Sequence, residues 1–382
     1  MLIPKGRACH PEFRYDTFPS PPNPAVDETA ACVYHPFHDM NSPTQNATHP
    51  ITAGRLAAWF VVMAVATAAV ALACSLPGQV DVPLDDDLFK SQIWQLRVVR
   101  LSAAALVGTG LAAAGLALQG LLRNPLAEPY VLGVSSGAGI GVLLGPSLGA
   151  TLGLAAWATT PALAMLGALA TAAVVYGIAQ RRGRLDPYVL LLAGVIVNVF
   201  NGAVIMALLQ FVKQEELFRF VGWGMGQIPE WLWHRPMLLA ICGGMIIAGW
   251  FVLFLRSAAM NMLSLGDDVA STSGVGVHWL RVETFVIVAL MTSASVAIAG
   301  PVGFVGLIVP HLCRLLLGPD HRRLAIVAGF GGAIFLMLAD TLCRLMGAWF
   351  KLGELPVGVI TALCGGPFFI LLLRRRAREG LG

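Results

Sequence analysis

The sequence predicts an all-α, polytopic membrane protein of about ten transmembrane helices with both termini in the cytoplasm. Three observations carry this. Hydrophobic residues make up 57% of the 382 and charged residues only 12%, about half the charge usual in a soluble domain. The mean hydropathy is +0.75. Apolar runs recur at lengths near the about 20 residues that cross a bilayer core of about 30 Å. A soluble fold of this size needs far more charge to cover its surface.

Residues 1–54 read differently from the remainder. They hold nine of the 23 prolines and four of the eight histidines and lack an apolar period. This composition predicts a disordered polar tail, and Met40 offers a mis-assigned start as the other reading. Cys32, His35 and His38 have a metal-compatible spacing, but chance spacing in a polar tail is the simpler explanation. Residues 55–382 form the transmembrane domain. Spans are expected near 56–76, 98–118, 127–145, 154–179, 188–210, 236–255, 282–299, 302–317, 324–343 and 356–373. The first lies too deep in the chain for an ordinary signal peptide.

Orientation follows from the bias of cationic residues toward the cytoplasm. With the N-terminus inside, the inner segments carry fourteen Arg and Lys and the outer segments eight. The inner set includes Arg123, Arg181, Arg256 and Arg281. The outer set includes Arg97, Arg100 and Arg344. Clusters of small residues, Gly108 to Gly115 and Gly329 to Gly332, predict close helix packing. Cys242, Cys313, Cys343 and Cys364 lie in or beside apolar runs and read as small buried hydrophobes. No disulfide framework is implied.

Several functions are excluded or weakened by what is missing. No basic stripe with interleaved aromatics occurs, so nucleic acid is not an expected partner. No GxxxxGK[ST] loop occurs, so the chain has no phosphate cradle of its own. No clustered nucleophile, acid–base pair or metal site points to a membrane enzyme. The spans are nearly free of acids, with Asp340 the exception, and ion-coupled carriers usually need a mid-membrane carboxylate. Asn198 and Asn201 are three apart on one helix face. They predict either hydrogen bonding between helices or a polar pathway wall.

Three stretches break the helical pattern. Arg123-Asn-Pro-Leu-Ala-Glu-Pro129, followed by Leu132-Gly-Val-Ser-Ser-Gly-Ala138, places two prolines around a tight turn. Residues 257–281 read as the longest cytoplasmic loop and contain Leu263-Ser-Leu-Gly-Asp-Asp268, with a short helix possible from Val269. Gly300-Pro-Val-Gly-Phe-Val-Gly-Leu-Ile-Val-Pro310 cannot begin as a regular helix. Discontinuous helices of this kind line cavities in transporters. His311 reads as a structural hydrogen-bonding residue, with a ligand or proton carrier as the other reading.

These motifs, with Gly318-Pro-Asp-His-Arg322, Leu338-Ala-Asp-Thr-Leu-Cys-Arg344 and the run from Glu354 to Leu373, closely resemble the permease subunits of type II bacterial ABC importers for iron siderophores, haem and cobalamin. The resemblance covers about 90–382 in consistent order. It implies an inner-membrane permease that dimerises with a second copy of itself around a central pathway. It also implies two cytoplasmic ATPase subunits, which bind the ATP and magnesium, and a periplasmic substrate-binding protein. The chain itself then holds no cofactor, and the metal chelate is cargo. By the same resemblance Leu265, Gly266 and Asp267 engage the ATPase. Asn124 and Leu126 belong to a cytoplasmic gate, Asn198 and Asn201 line the pathway, and Arg97, Arg100 and Arg344 dock the binding protein. The rival reading is a secondary, ion-coupled transporter.

Overall fold

The computed structural model describes residues 53–76, 92–181, 184–351 and 353–379. The tail with Cys32, His35 and His38 lies outside the described residues. Among the described residues the regular elements are helices apart from one pair of two-residue strands, Gln180–Arg181 and Arg184–Leu185, which pair antiparallel.

In chain order the helices are α1 (Ala53–Ser75), α2 (Gln92–Leu122), α3 (Val134–Thr151), α4 (Ala156–Ala179), α5 (Pro187–Leu209) and α6 (Gln214–Gly224). There follow α7 (Pro236–Leu265), α8 (Asp267–Thr272), α9 (Val277–Ala299), α10 (Val305–Leu317), α11 (His321–Phe350) and α12 (Val357–Glu379). The ten expected spans map in order onto α1 to α5, α7 and α9 to α12. Among the described residues, seven of these are long and apolar enough to cross a membrane: α1, α2, α4, α5, α7, α9 and α11.

Local chemistry explains several starts. Asp186 caps α5 by accepting from the backbone N–H of Tyr188 and Val189, with Pro187 in the first turn. Asp320 caps α11 through the N–H of Arg322. Pro236 occupies the first turn of α7.

Helix α2 is the hub. Of its most apolar stretch 83% is buried, against 0% for α1, and α7, α9, α10 and α11 all pack on it. The approach is closest where side chains are absent. A Cβ on Gly108 would sit 2.1 Å from the carbonyl oxygen of Gly332 on α11, and one on Gly115 2.0 Å from that of Gly306 on α10. In lipid, helices gain little from hydrophobic burial against each other, so backbone proximity supplies the van der Waals contact.

Three expectations need correction. Residues 257–281 are not a loop: α7 continues to Leu265, α8 follows after Gly266, and α9 begins at Val277. Helical hydrogen bonding here extends past the bilayer-length apolar window that set the expected end. The third span begins at Val134 rather than 127, because Pro129–Leu132 form a 3-10 turn and Gly133 adopts φ 77°. Cys364 is exposed, unlike Cys242, Cys313 and Cys343. Two short elements were not expected at all: α6, with Glu215 and Glu216 in its first turn, and the 3-10 turn Glu230–His234.

The close approach of α2 and α11 predicts that Gly332→Leu lowers the unfolding temperature of the purified protein in detergent, a cost of about 1–3 kcal/mol. Gly244→Ala, which meets open space, serves as the control. Unchanged unfolding of Gly332→Leu refutes this packing.

Candidate functional site

The break between α9 and α10 is the centre of the site. Helix α9 ends at Ala299, Gly300 and Phe304 both have positive φ (68° and 69°), and α10 starts at Val305. Helix α10 has 13 residues, about 20 Å of helix, well short of a bilayer core. The first turn of α10 lies against the last third of α2, where Gly115 faces Gly306.

Backbone polar groups in this stretch and at the helix ends that flank it are met by named partners. Glu128 Oε1 accepts from the N–H of Phe304. Tyr130 Oη accepts from the N–H of Val302 at 3.0 Å. Gln119 Nε2 donates to the carbonyl of Gly306 at 3.1 Å, and Arg314 donates to Gln119 Oε1 at 3.2 Å. The N–H of Gln227 donates to the carbonyl of Ala299 at 2.9 Å. Glu128 and Tyr130 come from the same turn as Asn124 and Leu126, so one segment both closes the α2–α3 connection and holds the unwound stretch. His311, inside α10, meets Phe368 of α12 edge-to-face at 5.8 Å, a packing contact.

The turn itself is ordered by its own sequence. Arg123 takes a left-handed conformation, φ 49°, and ends α2. Asn124 Oδ1 accepts from the N–H of Leu126 at 3.0 Å, and the N–H of Ala127 donates to the Asn124 carbonyl. This is the local side-chain turn that asparagine favours. Leu126 is half-buried.

Beside the turn lies the 265–267 segment. Leu265 is exposed. Gly266 separates α7 from α8. Asp267, the first residue of α8, accepts from Arg123 and, on the same oxygen, from Arg281 at 2.9 Å. Each exposed pair of this kind contributes about 0–1 kcal/mol to stability, so the cluster positions rather than stabilises.

Asn198 and Asn201 sit on the face of α5 turned toward the bundle. Asn198 Nδ2 donates to the Tyr130 carbonyl at 3.2 Å, and its Oδ1 accepts from Ser136 at 2.7 Å. Asn201 donates to Ser136 and Thr171 at 3.1 and 3.2 Å and is only 6% exposed. The two asparagines therefore lace α5 to α3 and α4. The opposite face of α5 exposes Leu192, Val195, Val199 and Phe200.

At the far end of α2 the three expected arginines converge. Arg97 donates to the carbonyls of Ser75 and Leu76 at the end of α1. Arg100 grips Asp340 with Nε and Nη2 at 3.0–3.2 Å and Glu354 with Nη1 at 2.8–2.9 Å. Arg344 approaches Asp340 at 3.3 Å and donates to the Cys74 carbonyl. Asp340 is 1% exposed, Arg344 6% and Glu354 36%. Arg100 and Arg344 thus arrive with counter-ions of their own, which sequence reasoning missed. The Asp340–Arg344 spacing of four on one helix was the available signal.

Comparison with known proteins fits this arrangement. The chain belongs to the FecCD transport family, which it matches over residues 56–375, and it is a membrane-spanning transport permease. It is 34% identical over 293 residues to the hemin transport system permease protein HmuU of Yersinia pestis, covering 76% of this chain and 85% of that one. It is 38% identical over 313 residues to the cobalamin import system permease protein BtuC of Halobacterium salinarum, covering 82% and 80%. Its fold is similar to an inward-facing metal-chelate type ABC transporter, with TM-score 0.71 and 27% identity over 84% of this chain and 99% of that one. The ion-coupled carrier reading is therefore set aside. The structure gives the physical reason: Asp340, the acid expected within a span, is neutralised by two arginines.

Removing one partner from a buried ion cluster leaves charge uncompensated, which costs about 3–5 kcal/mol. Asp340→Asn should therefore sharply lower the unfolding temperature, whereas Glu354→Gln, at the exposed rim, should cost less than about 1 kcal/mol. Equal effects in a thermal melt contradict the assignment of Asp340 as the cluster's anchor.

Proposed function

We propose that this chain is the permease of an ATP-driven importer of a metal chelate in a bacterial inner membrane. The carrying observation is the similarity, over three-quarters or more of the chain, to permeases named for hemin and cobalamin import. The unwound start of α10 supports the reading, because irregular backbone at membrane depth is tolerated where it is buried in protein or lines a cavity.

In this reading the ten expected spans cross the membrane with both termini inside. Two copies enclose the pathway. Two separate ATPase subunits bind ATP and magnesium and engage Leu265, Gly266 and Asp267. The exposed Leu265 gives that partner an apolar anchor. Asn124 and Leu126 form the cytoplasmic gate, and Asn198 and Asn201 brace the pathway wall by fixing α5. A periplasmic binding protein docks on the end of the molecule that carries Arg97, Arg100 and Arg344. Arginine suits carboxylate partners because its fork is always charged and bidentate. Arg344, being buried, acts there through Asp340.

The test is vectorial uptake in proteoliposomes containing the chain, its cognate ATPase and the binding protein, offered labelled cobalamin, hemin and ferric hydroxamate in turn. ATP-dependent accumulation of one chelate is expected, abolished by a hydrolysis-deficient ATPase. Uptake driven by a pH or sodium gradient with that ATPase overturns the proposal.

A further inference from the structure

We infer that Arg123 is the mechanical joint between the ATPase-facing helix α8 and the gate turn. The inference rests on the coupling reading of Leu265 to Asp267 above and adds the residue through which movement passes.

The geometry is specific. Gly266 has φ 137° and ψ 155°, a backbone region open essentially to glycine alone. It is the single residue between α7 and α8 and so forms a hinge. Arg123 straddles that hinge. Its Nε donates to the carbonyl of Leu263 at 3.0 Å, on the α7 side. Its Nη2 donates to Asp267 Oδ1, on the α8 side. The guanidinium is planar and rigid, so the two bonds fix α8 relative to the end of α7. Arg281, from the first turns of α9, holds the same carboxylate oxygen and keeps Asp267 in place as α8 tilts.

Arg123 is also the first residue of the gate turn, and its left-handed backbone sets the direction in which residues 124–130 leave α2. That turn carries Glu128 and Tyr130, which bind the N–H groups of Phe304 and Val302. A displacement of α8 about Gly266 therefore either breaks the Arg123 bridge or draws the turn, and with it the unwound start of α10. Lysine does not reproduce this bridge, because its three donors rotate on one nitrogen, whereas the guanidinium holds Nε–H and Nη2–H on separate atoms in a fixed fork. The joint's groups are partly exposed (39% for Arg123 and 45% for Asp267), so removing it leaves the bundle folded and makes the test interpretable.

The experiment uses the permease assembled with its ATPase and binding protein in lipid nanodiscs and proteoliposomes. Hydrogen–deuterium exchange is followed with and without ATP at 263–272 and 124–132, alongside chelate imported per ATP hydrolysed. In the unmodified protein both segments change protection on ATP addition. In Arg123→Ala only 263–272 responds, and chelate imported per ATP falls about tenfold, within the range of ordinary coupling energies. Asp267→Asn behaves alike, and Arg123→Lys does not restore the ratio. Joint response of both segments in Arg123→Ala, or an unchanged import ratio, overturns the inference. Absence of any ATP response at 263–272 in the unmodified protein removes the coupling reading itself, and the joint with it.

Discussion

Backbone that leaves the helical state inside a membrane bundle must find partners for every N–H and carbonyl, since lipid offers none. The stretch from Gly300 to Phe304 is under that constraint, and much of the surrounding structure follows from it. Glu128 and Tyr130, from the α2–α3 turn, meet the N–H groups of Phe304 and Val302, while Gln227 and Gln119 meet the flanking carbonyls of Ala299 and Gly306. Each lost partner would leave a buried polar group unsatisfied at about 1–3 kcal/mol. The α2–α3 turn is thereby held to the start of α10, and α6 with the residues after it is drawn inward to reach Ala299.

This arrangement requires α2 to lie very close to its neighbours. Gly108 and Gly115 allow that, because their missing side chains are replaced by the backbone of α11 and α10. Close packing, the unwound stretch and the α2–α3 turn are thus one construction. The ion cluster of Arg100, Asp340, Arg344 and Glu354 at one end of α2 and the Arg123–Asp267–Arg281 cluster at the other tie the same hub helix to α11 and to α8.

The order of spans was legible because bilayer thickness imposes a length that apolar runs must satisfy. The broken start of α10 was legible because Gly300, Pro301, Gly303 and Pro310 forbid a regular helix. The turn at Asn124 followed from asparagine's own hydrogen bonding. What stayed hidden depends on contacts between distant residues. Nothing local to Glu128 or Tyr130 says that they bind the backbone 172 to 176 positions away. Composition alone ended the seventh helix near 255, since polar residues beyond the membrane are as compatible with a helix as with a loop. The arginines at 97, 100 and 344 stood out as surplus cations. The pairing of Arg100 and Arg344 with Asp340, and of Arg100 with Glu354, became visible only once α2, α11 and the segment before α12 were brought together.

Paired cryo-electron microscopy structures of the permease bound to its ATPase in nanodiscs, with and without ATP, test the central claim most directly. The account predicts that residues 119–130, α8 and 300–306 shift as one unit, with the Glu128–Phe304 and Tyr130–Val302 hydrogen bonds intact in both states. Movement of α8 past a stationary α2–α3 turn, or loss of those two hydrogen bonds on ATP binding, would contradict it.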